Sequence, residues 1–218
     1  MDKFVLHHGV AAPLLRINID TDAIIPSREM KQVAKTGLAQ GLFAAWRYLE
    51  PGGRTPNPDF VLNQPGFASA TILLAGANFG CGSSREHAVW ALREYGFRVV
   101  IAPSFGAIFY NNCIRNGLLP VQLSDSVVQQ LAQIGAAGVV TVDLQNCRVS
   151  GADGVQFAFV IPPESREMLL EGLDPVALTL KLKDRIEAFQ LVDRARRPWV
   201  YLTSSGTQTG PPGQHVAS

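Results

Sequence analysis

Between residues 71 and 123 the chain twice repeats one unit: a short apolar run, then a helical stretch closed by glycine. Residues 71–75, Thr71-Ile72-Leu73-Leu74-Ala75, read as a buried strand. A Gly-rich turn then leads into a helix over 84–95 that stops at Gly96. Residues 98–102 form the next strand, and a helix over 104–116 ends at Gly117, where a left-handed residue suits a C-terminus. A third strand over 118–123 and a third helix over 125–135 follow. Strands alternating with helices require right-handed crossovers, so this segment is expected to build a parallel sheet.

The flanks are less regular. Residues 4–6 and 15–19 read as short strands. Residues 20–26 read as a polar turn feeding a short apolar run, and because Pro26 disfavours helix at Ile25 the run is expected to be extended. Leu42, Phe43, Trp46 and Leu49 stand at helical spacing, so 27–49 is expected to be partly helical. Residues 50–66 hold four of the fourteen prolines and read as a long ordered loop or a boundary. A β-meander is expected over 139–161, turning at 151–154, then helices over 164–171 and 184–197. The Ser, Thr, Gly and Pro-rich residues 203–218 are expected to be disordered, which leaves one domain over 1–202.

Composition narrows the function classes. At 47% hydrophobic and a net charge of +1, the body of the chain is not intrinsically disordered. The same balance offers no basic excess for nucleic acid. No apolar run reaches the roughly 18 residues of a membrane helix, and 10–15 is too short for a signal peptide, so a cytoplasmic location is expected. Cysteines at 81, 113 and 147 make no CxxC pair, and the histidines at 7, 8, 87 and 215 supply no zinc spacing. Three reduced thiols are expected, and any metal chemistry has to come from elsewhere.

One segment carries chemistry: Asn78-Phe79-Gly80-Cys81-Gly82-Ser83-Ser84-Arg85-Glu86-His87, between a buried strand and an amphipathic helix. Gly80 and Gly82 permit positive φ and close approach of a ligand to the backbone. Ser83 and Glu86 have capping-box spacing, which predicts a helix start with outward N–H groups. Such a terminus attracts anions, and Arg85 adds a carboxylate or phosphate donor. The residues describe an anion site containing a hydroxyl nucleophile or base. A Walker loop fails for want of a lysine, and a dinucleotide turn fails at Arg85. A nucleophile elbow fails at Glu86. A plain capped helix entry remains the alternative.

These residues resemble the signature of the swivelling domain of the aconitase superfamily, and within it the small subunits of bacterial 3-isopropylmalate dehydratases. Asn18-Ile19-Asp20-Thr21-Asp22-Ala23-Ile24-Ile25-Pro26 resembles a second motif of that family, N-x-D-T-D-x-I-I-P. Tyr95-Gly96-Phe97, residues 101–105 and 116–120 extend the similarity over roughly 3–200. The resemblance implies an α/β fold, a three-layer β/β/α swivelling domain with a β-meander. It implies a hydro-lyase of leucine biosynthesis, active only with a large subunit, in which 2-isopropylmalate is dehydrated and rehydrated to 3-isopropylmalate. No cofactor is implied in this chain; a 4Fe–4S cluster is expected in the large subunit, held by three cysteines there. The expected ligand is a small dicarboxylic acid. Ser83 would take the role of the base, with Ser84, Arg85 and Gly82 at the substrate carboxylate. Asp22 would face the same site, or serve as an Asx turn or helix cap. Cys81 is expected to be a packing thiol, and His87 a packed or interface histidine.

Residues 27–49 would hold the specificity loop, with Arg28, Glu29, Met30 and Lys31 nearest the substrate side chain. Family members of bacteria commonly carry an aromatic-Leu pair where this chain has Glu29-Met30. A carboxylate beside an alkyl group is costly unless it is paired or turned away. Either Glu29 faces solvent, or the substrate is another substituted malate or maleate, as for a dimethylmaleate hydratase. A non-catalytic anion-binding module is the reading from another class.

Overall fold

The computed structural model describes residues 1–30, 36–136 and 138–201. Lys31 and the tail over 203–218 therefore lie outside the described residues. The chain divides into two compact units, Met1–Val176 and Ala177–Ser218.

In the first unit the N-terminal segment serves two sheets. β1 (Leu6–Gly9) and β2 (Ala11–Leu14) are separated by one residue, yet they enter different sheets. Gly9 allows the switch: a Cβ there would collide with Thr71 Oγ1. Pro13, which has no N–H to donate, is tolerated because β2 is an edge strand. The expected strands at 4–6 and 15–19 are thus displaced toward each other. Asn18, at φ 55, cannot continue a strand, and Phe4 is used instead to bond the Leu169 carbonyl through its N–H.

A single helical turn, α1 (Thr21–Ile24), follows. The expectation of extended chain fails there because the Asp20 carboxylate accepts from the Ala23 N–H at 2.7 Å and caps the turn. The rule for the residue before proline holds only at Ile25, which is extended. Among the described residues of 27–49 the helix is confined to short turns. These are 3-10 turns at Ser27–Glu29 and Ala39–Gly41 and one turn of helix, α2 (Ala44–Arg47). Leu42 and Phe43 are fully buried, whereas Leu49 is exposed. The Pro-rich stretch after it is an ordered loop, because Phe60 and Leu62 enter the core.

β3 (Ile72–Ala75), α3 (His87–Tyr95), β4 (Val99–Ala102), α4 (Ala107–Arg115), β5 (Leu119–Gln122) and α5 (Asp125–Gln133) follow in the expected alternation. The parallel sheet has the order β2-β3-β4-β5, with α5 packed across β2, β3 and β4. β3 and β4 are apolar and buried along their whole length, as strands covered on both faces must be. β6 (Val140–Asp143), β7 (Arg148–Ser150) and β8 (Gln156–Ala158) make the antiparallel meander, with β1 added beside β6. Helix α6 (Pro163–Glu171) ends at Gly172 in the left-handed conformation. α7 (Pro175–Leu180), which periodicity did not reveal, leads to α8 (Lys183–Arg196). Near the end of α8, Arg197 bonds Asp193 at 2.7 Å.

α3 begins three residues later than predicted, and the capping box does not form. Glu86 Oε1 instead accepts from Asn116 Nδ2 at 2.6 Å, while Asn116 Oδ1 accepts from Trp90 Nε1 at 2.9 Å. The contact links the start of α3 to the end of α4. Residues 82–85 are freed from the helix and form an irregular turn.

Candidate functional site

β3 ends at Ala75, and the chain then runs parallel to the segment that follows β2. Gly80 N–H donates to the Ile19 carbonyl at 2.7 Å, and Thr21 N–H donates to the Cys81 carbonyl at 3.0 Å. Asn18 and Asn78 both have positive φ, and the Asn78 side-chain amide donates to Asn18 Oδ1 at 2.9 Å. The two sequence motifs, some sixty residues apart, thus form one paired structure. On its other side Phe79 is bonded to the loop after β4, with its N–H on the Ser104 carbonyl and its carbonyl accepting from Gly106.

Gly80 is required by space as well as by φ. A Cβ at this position would fall inside the ring of Phe109, which is itself packed edge-on against Phe79. Gly82, at φ 87, has room for a methyl group, so only its backbone conformation is demanding.

This turn presents Gly82, Ser83 and Ser84 to solvent. Arg85 is half-buried, and its Nη1 bonds Asp22 Oδ1 directly. The guanidinium therefore has one N–H committed to Asp22, leaving its other donors for a second carboxylate. Gly82, Ser83, Ser84, Arg85 and Asp22 stand together, from two segments that sequence spacing keeps far apart. Cys81 carries a free, half-buried thiol, and its backbone pairs with that of Asp20. His87 packs its ring 4.7 Å from that of Trp90. His7 bonds Thr71 Oγ1 at 2.7 Å, and burial, with Arg98 and His8 nearby, pushes its pKa down.

The residues of the expected specificity loop lie beside this site in sequence but have their own surroundings. The Glu29 side chain is only 8% exposed and bonds Arg54 at 2.6 Å. Arg28 stands at 3.4 Å from its other oxygen. Glu29 thus neither faces solvent nor lies unpaired: Arg54 neutralises it, and the hydrogen bond to Glu29 raises the Arg54 pKa. Arg28, Glu29 and Arg54 line a pocket of about 320 Å³, while Met30 packs against the core.

Two groups that sequence reading missed hold this region. Arg54 gave no signal in its Pro/Gly-rich surroundings. Glu94, on α3, accepts from the N–H groups of Gly37, Leu38 and Ala39 at 2.6, 2.5 and 2.9 Å. Burial alone would raise the Glu94 carboxyl, but the three amides outweigh it and hold its pKa below the usual value. Its stabilising contribution is then complete above the unfolded pKa and lost as pH falls through the lowered folded value. Glu94→Ala should cost about 1 kcal/mol at pH 7. The gap should close below about pH 4 in urea titrations run at several pH values.

Among the described residues no group of three or more His, Cys, Asp or Glu could hold a metal ion. Cys113 is fully buried, and burial pushes its thiol pKa well up. No helix among the described residues is long and apolar enough to cross a membrane.

The aconitase C-terminal domain family matches residues 1–126. The 3-isopropylmalate dehydratase small subunit of Cupriavidus necator is 63% identical over 206 residues, covering 93% of this chain and 99% of the relative. The chain belongs to the 3-isopropylmalate dehydratase small-subunit family. A second member, from Rhodospirillum centenum, is 50% identical over 202 residues, 91% of this chain and 98% of its own length. Among solved structures, a 3-isopropylmalate dehydratase from Methanocaldococcus jannaschii superposes with a TM-score of 0.62 at 27% identity. It covers 85% of this chain and 99% of its own. The parallel sheet with its added meander is therefore the family's fold, as the resemblance of the two motifs implied.

Proposed function

We propose that the chain is the small subunit of a cytoplasmic hydro-lyase of leucine biosynthesis that interconverts 2-isopropylmalate and 3-isopropylmalate. The observation that carries the reading is the joining of the two motifs into one open turn, with Ser83 and Ser84 exposed and Arg85 held by Asp22. Ser83 Oγ removes the carbon-bound proton. Ser84 Oγ and the free N–H groups of Arg85 hold a substrate carboxylate, and the amide of Gly82 adds a donor on the same turn.

An open turn cannot do this in bulk water, where a serine alkoxide is too basic to persist. A large subunit that covers the turn excludes water and strengthens every hydrogen bond within. A 4Fe–4S cluster in that subunit supplies a Lewis acid for the substrate hydroxyl. The neutralised Glu29 removes the main objection to an alkyl-substituted substrate, because its carboxylate is matched within this chain.

Co-expression with the large subunit, followed by parallel assays on 2-isopropylmalate and dimethylmaleate, tests the reading. Turnover of the first acid is expected. Turnover of the second alone would assign the chain to a related hydratase, and an iron-loaded complex active on neither would leave an anion-binding module.

A further inference from the structure

We propose that Thr21 is the positioning residue of the catalytic turn: its hydroxyl and its amide pull two carbonyls inward, and so aim the Gly82 and Ser84 N–H groups at the open face. The inference rests on the reading of Ser83 given above and adds to it a residue that makes no contact with substrate.

Thr21 is 1% exposed, next to a turn that is largely in solvent. A buried hydroxyl needs a partner, and Thr21 Oγ1 donates to the Ser83 carbonyl at 3.0 Å. The Thr21 N–H donates to the Cys81 carbonyl at 3.0 Å. One residue thus holds the carbonyls on either side of Gly82. No cis peptide bond occurs among the described residues. In a planar trans peptide the C=O and the following N–H point in opposite directions. With the Cys81 and Ser83 carbonyls turned onto Thr21, the N–H groups of Gly82 and Ser84 must point away from it. Neither amide has a hydrogen-bond partner among the described residues. The positive φ of Gly82 allows the chain to reverse between the two anchored peptides.

The next residue, Asp22, points the other way and bonds Arg85. Consecutive residues of α1 therefore set the two kinds of donor: Thr21 the amides, Asp22 the guanidinium. Both act on a carboxylate bound beside Ser83. Asp20, whose side chain caps α1, keeps the pair in register.

Thr21→Val keeps the shape of the side chain and removes the donor, and Thr21→Ser restores the donor without the methyl group. In the two-subunit complex, Thr21→Val should lower kcat about 100-fold and raise KM several-fold, with Thr21→Ser within about threefold of the wild type. If Thr21→Val does not fold, Thr21→Cys, a weak donor, takes its place with a loss of about tenfold. A kcat within twofold of the wild type in a complex that is merely less stable would make Thr21 structural only and overturn the proposal. So would Thr21→Ser falling as far as Thr21→Val.

Amide proton–nitrogen spectra of the chain, with malonate as a dicarboxylate probe, read the turn without turnover. The Gly82 and Ser84 resonances should move with malonate in the wild type and stay still in Thr21→Val. Wild-type resonances that stay still would sink the proposal. A wild-type complex that binds malonate this way yet turns over neither acid would instead sink the assigned reaction and leave Thr21 in place.

Discussion

Ser83→Ala in the complex with the large subunit should lower kcat by about 10³-fold, the usual range for losing a positioned base. The effect should fall on kcat and leave the fold alone. The Ser83 side chain is exposed and has no hydrogen-bond partner among the described residues; its backbone carbonyl is engaged by Thr21 and by the Arg85 N–H. Thermal unfolding and association with the large subunit should therefore match the wild type. KM should change little, since in the proposed site Ser84 and Arg85 would still bind the carboxylate. Turnover within tenfold of the wild type would remove Ser83 from the role of base.

Gly80→Ala should act in the opposite way, through stability. Alanine at φ 72 costs about 1–2 kcal/mol. The added methyl would also enter the ring of Phe109, which is 2% exposed and stacked with Phe105 at a centroid distance of 6.4 Å. Overpacking of this kind adds about 1–3 kcal/mol. A total near 3 kcal/mol is a large share of the stability of a small domain. Gly82→Ala is the matched control: φ is 87, but the nearest atom to the new methyl is Asp20 Cβ at 3.4 Å. It should cost only the backbone strain, so a urea midpoint lowered equally by both variants would refute the packing argument.

The structure and the sequence agree best where the signal is local. Within the runs at 71–75 and 98–102, residues 72–75 and 99–102 offer no polar position that water could face, so they had to be covered strands, and they are β3 and β4. Gly96 and Gly117 end the helices as expected, both at positive φ. Agreement is poorer where a distant residue competes for a group that local spacing assigns. Ser83 and Glu86 look like a capping box, but Asn116 takes the Glu86 carboxylate and the helix starts at His87. Pro26 predicts extended chain, but the Asp20 carboxylate caps a turn ahead of it.

By itself, then, the sequence determined the alternation that makes a parallel sheet, the two motifs, and the residue types of an anion site. Apolar periodicity and glycine placement act over a few residues, so they can be read without a partner. Only the tertiary structure decided which way these residues face. Asp22 and Arg85 are 63 residues apart and meet because the segments after β2 and β3 pair side by side. Glu29 is neutralised by Arg54, and residues 37–39 are held by Glu94, through contacts that no spacing rule encodes. The three cysteines mark the same boundary. Their number and spacing offered no metal pattern, and only the fold shows that Cys113 is buried while Cys81 and Cys147 are partly exposed.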